Sequence, residues 1–259
     1  MSNPIIWFAV FCAGLCAGSF LNVCISRLPA CESIVSPGSK CPSCGRPIRF
    51  YDNIPIISYL FLRARCRNCK EPISLRYPAV ELFCGVLACL VVLRYGFVLS
   101  APVYFIFLAS LVTVTFIDLD HRIIPDVISL PGIIAGLAVS PFLPEITAAQ
   151  SFAGVAVGGG SLYAVAAGYY LLTGKEGMGG GDIKLLAMIG AFTGWQGVIF
   201  TIFAASASGT AVGLLLMAAM GRNLKFAIPF GPFLSLGAAI YLFFGRELIQ
   251  WYLFGIQPF

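Results

Sequence analysis

Long runs without a charged residue constrain this chain more than any other feature. The four longest occupy residues 5–25, 97–117, 151–173 and 185–220. A helix needs about 20 consecutive apolar residues to cross the hydrocarbon core of a bilayer. Charged residues make up only 10% of the chain, against about 25% in soluble domains. We therefore predict an all-α, polytopic membrane protein.

The last of these runs is too long for one membrane span. A single helix over residues 185–220 would be about 54 Å long, whereas the hydrocarbon core is about 30 Å thick. The glycines of residues 194–197 (GWQG) are the natural place for the chain to turn back. With that turn we predict about eight membrane-spanning helices, at residues 5–26, 79–95, 97–117, 127–144, 149–173, 183–195, 197–220 and 230–253.

The basic residues predict the orientation of these helices. Loops rich in Lys and Arg stay on the cytoplasmic side of a membrane. If the N-terminus is periplasmic, all of the 16 Lys and Arg residues except Arg94 and Arg246 fall on the cytoplasmic side. The net charge of +5 therefore reports orientation in a lipid bilayer, and we expect no nucleic-acid partner.

One long polar stretch interrupts the apolar sequence. It covers residues 28–78, between a first transmembrane helix (1–27) and the remaining bundle (79–259), and it contains two CxxC pairs: Cys41, Cys44, Cys66 and Cys69. On the predicted topology this insertion is cytoplasmic. Four thiolates at this spacing suit a tetrahedral Zn²⁺ ion, and the reducing cytoplasm favours a metal over disulfides. Such a zinc would be structural, because four cysteines leave no open position. The alternative is two disulfides or free thiols.

Carboxylates next to apolar segments are candidates for catalysis. Asp118, Asp120 and Asp126 follow one apolar run, and Asp182 opens another after three glycines. Each has a simpler interpretation, as a helix cap or as part of a solvated loop. Two carboxylates at one depth could instead share a proton and activate water, as in aspartic proteases. Asp182 is one partner, and Asp118 is preferred as the other because it directly ends the apolar run.

Five motifs, taken in order, resemble those of bacterial type IV prepilin peptidases, which are GxGD-type membrane aspartic proteases. They are AGSFLNVCISRLP (17–29), the two CxxC pairs in sequence, RYPAVELFCG (76–85), FIDLDHRIIPD (116–126) and GMGGGDIKLLAMIGAF (177–192). The resemblance covers essentially the whole chain. It implies a multi-pass enzyme of the bacterial inner membrane with a periplasmic N-terminus, an active site at the cytoplasmic face, and Asp118 and Asp182 as the catalytic pair.

The resemblance also implies the substrates and a second activity. Prepilins and secretion pseudopilins would be cleaved after a glycine on the cytoplasmic side, in partnership with the pilus or type II secretion machinery. Many members then methylate the new N-terminal residue with S-adenosylmethionine, and the resemblance assigns this activity to the N-terminal half. Glu81 and Asn22 are polar residues in or beside apolar segments of that half. We therefore expect them to bind the methyl donor or the substrate amine.

Three other interpretations remain at this point. The chain could be a peptidase without methyltransferase activity. It could be a proton-coupled transporter that uses Asp118 and Asp182 as relay groups, although the sequence shows no evident inverted repeat. It could also be a non-catalytic, zinc-bearing membrane scaffold, which would leave the glycines before Asp182 without a reason.

Overall fold

The computed structural model describes residues 3–175, 179–220 and 228–255. In these ranges the chain is helical and has no β-strand beyond two isolated bridges. The helices are α1 (Pro4–Arg27), α2 (Ile57–Phe61), α3 (Arg76–Tyr95), α4 (Ser100–His121), α5 (Asp126–Val139), α6 (Ala148–Thr173), α7 (Gly180–Met220) and α8 (Gly231–Phe254), with short 3₁₀ turns at Phe50–Asn53 and Ser140–Phe142. The predicted all-α class is confirmed.

Several helices have the length and composition of membrane spans. Among the described residues five are long and apolar enough: α1, α3, α4, α6 and α7. Two further apolar helices, Asp126–Phe142 and Gly231–Gly245, are shorter. These helices support a polytopic membrane protein, while the predicted count of eight spans stays a prediction.

The chain forms two compact units, residues 1–109 and 110–259. The three-part division proposed from the sequence, 1–27, 28–78 and 79–259, stays a prediction. In the first unit α1 packs closely against α3 through small residues. A Cβ atom on Gly14 would lie 2.6 Å from the carbonyl oxygen of Cys84, and one on Gly18 would lie 2.6 Å from the Cα of Glu81. Only glycine permits this approach, which is a common way for helices to associate in membranes.

In the second unit α6 and the first half of α7 approach each other even more closely. A Cβ atom on Gly154 would lie 2.1 Å from the carbonyl oxygen of Gly190, and one on Gly190 would lie equally close to that of Gly154. Gly158 contacts the backbone of Leu186 in the same way. The two helices are therefore antiparallel and nearly in backbone contact over more than one turn.

The chain turns back within α7, as the sequence predicted. Gly194 has φ 71° and ψ 177°, which interrupts the helix and which glycine adopts without strain. Beyond it, Gly197 lies against Tyr241 and Gly209 lies against Phe233 of α8. The second half of α7 thus runs antiparallel to α8 and returns towards the residues at which α8 begins.

Candidate functional sites

The aspartate pair lies where three segments of the second unit meet. Asp118 is in the last turn of α4, and its residue is only 5% exposed. Asp182 is half-buried in the first turn of α7. The two carboxyl groups are close enough to interact electrostatically. The structure therefore brings together the two aspartates that the sequence selected.

Two glycines next to the aspartate pair, Gly181 and Gly231, both pack against Ile124. A Cβ atom on Gly181 would lie 2.9 Å from the Cβ of Ile124, which belongs to the short link between α4 and α5. A Cβ atom on Gly231 would lie 3.4 Å from the Cδ1 of the same isoleucine. Gly181 therefore lets α7 begin close to the segment that follows Asp118, whereas a Cβ atom on Gly179 or Gly180 would have no neighbour within 4 Å. Gly177 and Met178, at the start of the glycine-rich motif, lie outside the described residues.

The start of α8 supplies a contact that the sequence analysis missed. The backbone N–H of Gly231 donates a 3.0 Å hydrogen bond to Oδ2 of Asp118. A Cβ atom on Gly231 would lie 2.6 Å from the same oxygen, so only glycine fits without a shift. The segment PFGP (229–232) contains no titratable group, which is why a search for acids and bases passes over it. The signal was a glycine between two prolines directly before an apolar helix.

The other acidic residues of the motif have different environments. Asp120 and Asp126 are both exposed. Lys184 donates to both carboxylate oxygens of Asp126, at 2.8 and 2.7 Å. Lys184 is therefore paired with Asp126, and this ion pair ties the start of α5 to the start of α7.

The four cysteines of the polar insertion lie together. All four Sγ atoms are within 4.8 Å of one another, and those of Cys41 and Cys69 are 3.8 Å apart. A tetrahedral site with Zn–S bonds of about 2.3 Å has S–S edges of about 3.8 Å. The cluster therefore has the ligand set and the spacing of a structural zinc site.

Each CxxC pair lies on the same kind of turn. In the first, Gly45 N–H donates to Cys41 O at 2.9 Å; in the second, Lys70 N–H donates to Cys66 O at 3.1 Å. The two donor residues have φ values of 69° and 64°. The sequences CPSCGRPI and CRNCKEPI show the repeat once the turns are compared, a signal that the sequence analysis did not use.

The backbone of the second turn favours a thiolate. The N–H groups of Cys69 and Asn68 donate to Cys66 and lower the pKa of its thiol to about 6. A thiolate is the form that binds a metal ion. The backbone thus favours a thiolate at Cys66, whereas the pKa of the Cys69 thiol, despite a backbone hydrogen bond from Glu71, is raised to about 11 by burial and by the neighbouring cysteines.

Asn22 and Glu81 line one cavity of about 590 Å³ in the first unit, together with the polar insertion. Both residues are buried. The side-chain amide of Asn22 donates to Tyr77 O at 3.1 Å, and Oε2 of Glu81 accepts from the backbone N–H of Ile56 at 2.8 Å. Ligand pockets commonly have volumes of about 300–1,000 Å³. The cavity has the size and the polar groups to hold a small molecule.

These features define a class: a polytopic helical membrane protein with an aspartate pair, one buried and one half-buried, at helix ends and a four-cysteine insertion. Residues 12–95 match the bacterial peptidase A24 N-terminal domain, and residues 105–214 match the type IV leader peptidase family. The chain belongs to the type IV leader peptidase family.

Relatives over most of the chain carry one name, prepilin leader peptidase/N-methyltransferase. One from Pseudomonas putida is 38% identical over 91% of this chain and 89% of its own length. One from Stutzerimonas stutzeri is 37% identical over 97% of this chain and 96% of its own length. One from Myxococcus xanthus is 41% identical over 85% of this chain and 66% of its own length. No solved structure matches the chain significantly.

Proposed function

We propose that this protein is a membrane aspartic endopeptidase that removes the leader peptides of type IV prepilins and secretion pseudopilins and then N-methylates the new N-terminal residue. The observation that carries the proposal is the meeting of Asp118 and Asp182, from distant segments, in one half-buried site. The family and the shared name of its relatives support both activities. Cleavage follows a glycine at the cytoplasmic face of the inner membrane.

In cleavage, the aspartate pair acts on water and on the scissile carbonyl. One carboxylate takes a proton from the attacking water while the other, protonated, donates to the carbonyl oxygen. The roles belong to the pair, because two interacting carboxyl groups titrate together. Gly231 N–H holds Asp118 in place for this step through its hydrogen bond to Oδ2.

In methyl transfer, the cavity beside the polar insertion is the candidate binding site. S-adenosylmethionine supplies the methyl group when bound. Glu81 and Asn22 would hold the donor or the substrate amine. Glu32, Asp52 and Glu71 also line this cavity, but Glu81 is the one buried carboxylate among them and is therefore the candidate to bind an ammonium and to take up its proton. A structural Zn²⁺ on Cys41, Cys44, Cys66 and Cys69 would hold the insertion in the shape that encloses the cavity.

Mass spectrometry of a prepilin N-terminus tests both activities in one assay. The purified protein is incubated with a prepilin in detergent, with and without S-adenosylmethionine. A cut after the leader glycine, with one added methyl group only when the donor is present, is the expected result. A cut without methylation would remove the roles of Glu81 and Asn22. No cut by zinc-loaded protein would overturn the peptidase assignment.

A further inference from the structure

The polar insertion exposes an apolar surface around α2. Phe50, Ile57, Leu60 and Phe61 are all exposed, and Phe50 and Phe61 are 88% and 85% exposed. We call these four residues the α2 surface. An exposed apolar cluster on a protein surface usually marks a contact with another protein or with a membrane.

The α2 surface is held in place from its other side. Ile57, Leu60 and Phe61 have the i, i+3, i+4 spacing that places them on one face of a helical turn. Ser58 is buried on another face, where its hydroxyl donates to Tyr51 O and accepts from the N–H of Ile54, both at 3.0 Å. The exposed side chains therefore belong to an element that the protein fixes in one orientation.

A hydrogen bond sets the depth of this element relative to the bilayer. The backbone N–H of Ile56, directly before α2, donates to Oε2 of Glu81 at 2.8 Å. Glu81 lies in the second turn of α3, a candidate membrane span that begins at Arg76. Because helical side chains lean towards the helix N-terminus, its carboxylate lies within about one turn of the end of the span. The start of α2 is therefore at the level of the membrane interface.

The charges beside the α2 surface fit an anionic bilayer. Arg63 and Arg65 follow α2 directly, and both are exposed. Arg67, two residues further on, is instead bound by Asp52. An apolar face inserted among lipid headgroups, with basic residues at its edge, is the arrangement of interfacial membrane-binding elements.

We propose that the α2 surface is inserted into the headgroup–acyl boundary of the bilayer, with Arg63 and Arg65 contacting anionic lipid headgroups. This contact anchors the polar insertion to the membrane at a third place, besides α1 and α3. It does not depend on the catalytic assignments. The alternative occupant, an apolar segment of the substrate, is an outcome that the experiment distinguishes.

Photo-crosslinking of the full-length, zinc-loaded protein tests this contact. Benzoylphenylalanine replaces Phe61 in one preparation and Val35 in another, because Val35 is equally exposed (85%) but lies in the same insertion outside the α2 surface. The protein is reconstituted without substrate in phosphatidylcholine vesicles, with or without phosphatidylglycerol. Lipid adducts are then counted by mass spectrometry of the labelled peptide.

We expect several-fold more lipid adducts at Phe61 than at Val35, and more with phosphatidylglycerol than without it. The double variant Arg63→Gln/Arg65→Gln should lose the gain from phosphatidylglycerol. A probe at Leu60 serves as a second position and should react as Phe61 does. Equal yields at Phe61 and Val35, or adducts at Phe61 only after a prepilin is added, would overturn the proposal.

Discussion

The cysteine cluster and the aspartate pair each join two segments of the chain, but they are held together in different ways. The four cysteines lie on two local turns whose own backbone hydrogen bonds shape them. The two aspartates sit at the ends of helices, and their meeting depends on how closely those helices pack. The first site should therefore respond to removal of the metal ion that we propose it binds, and the second to small changes in helix packing.

Replacing either aspartate should have the largest effect. Asp118→Asn or Asp182→Asn removes a group needed to move protons, so prepilin cleavage should fall about 10³-fold. Methylation of a pilin that already has a free N-terminus should continue. The control is Asp120→Asn, which changes an exposed aspartate two residues from Asp118. Normal prepilin cleavage by the Asp118→Asn or the Asp182→Asn variant in a reconstituted assay would overturn the assignment of these aspartates as the catalytic pair.

Loss of one zinc ligand should impair methyl transfer far more than cleavage, and this difference distinguishes the two sites most clearly. Cys69→Ser should abolish zinc binding, measured as metal content, and lower methyl transfer about 100-fold because the cavity loses its support. Cleavage should change much less. Cys31→Ser is the matched control, since Cys31 is an exposed cysteine of the same insertion. Full methyl transfer by metal-free protein would contradict a structural role for the metal.

The difference between local turns and packed helix ends also explains which site residues the sequence could predict. The CxxC spacing was sufficient to select the four cysteines, because each pair is local. The pairing of Asp118 with Asp182 came from burial and from a resemblance, and the structure brings the two carboxyl groups close enough to interact electrostatically. The two prolines beside Gly231 marked the segment but not its role, since Gly231 contributes a backbone N–H whose partner is remote in the sequence. The pairing of Lys184 with Asp126 likewise depends on tertiary packing.

Separating α6 from α7 should impair the aspartate pair without touching it. Gly154→Val places a side chain against the backbone of Gly190 and should destabilise the chain by about 1–3 kcal/mol. A displaced α7 carries Asp182 with it, so cleavage should fall about 30-fold. Gly160→Val is the matched control on α6, because a Cβ atom there has no neighbour within 4 Å. Equal cleavage by both variants would show that the close packing of α6 against α7 is not what holds Asp182 in place.

A smaller effect is expected at the start of α8. Gly231→Ala forces its Cβ atom against Oδ2 of Asp118 and weakens their hydrogen bond, a loss of about 1–1.5 kcal/mol or roughly tenfold in rate. The fall should be in kcat for cleavage, with KM and methyl transfer retained, because Gly231 positions a catalytic carboxylate. The control Gly209→Ala meets only ordinary contacts with Phe233 of α8. A rise in KM alone would instead assign Gly231 to substrate binding.

The smallest effect should come from the ion pair between Arg67 and Asp52 in the insertion. Arg67 donates to both oxygens of Asp52, at 2.8 and 2.6 Å, which lowers the pKa of that carboxyl. A lowered folded-state pKa stabilises the fold above the unfolded pKa of about 3.9 and loses that effect as the pH falls through the folded value. The Asp52 side chain is only 9% exposed, but that of Arg67 is 49% exposed, so solvent screens the pair from the Arg67 side. Asp52→Asn should therefore cost less than about 1 kcal/mol at neutral pH.

Unfolding curves of the zinc-loaded protein and its Asp52→Asn, Arg67→Gln and double variants give the coupling energy of this pair. That energy should be constant between about pH 5.5 and 7.5, where Asp52 is ionised in both states, and should shrink in high salt. A coupling of about 3 kcal/mol that resists salt would mean that ion pairs hold the insertion together as firmly as its metal. The expected small value would leave the four-cysteine cluster, with the zinc that we propose it binds, as the main support of the insertion.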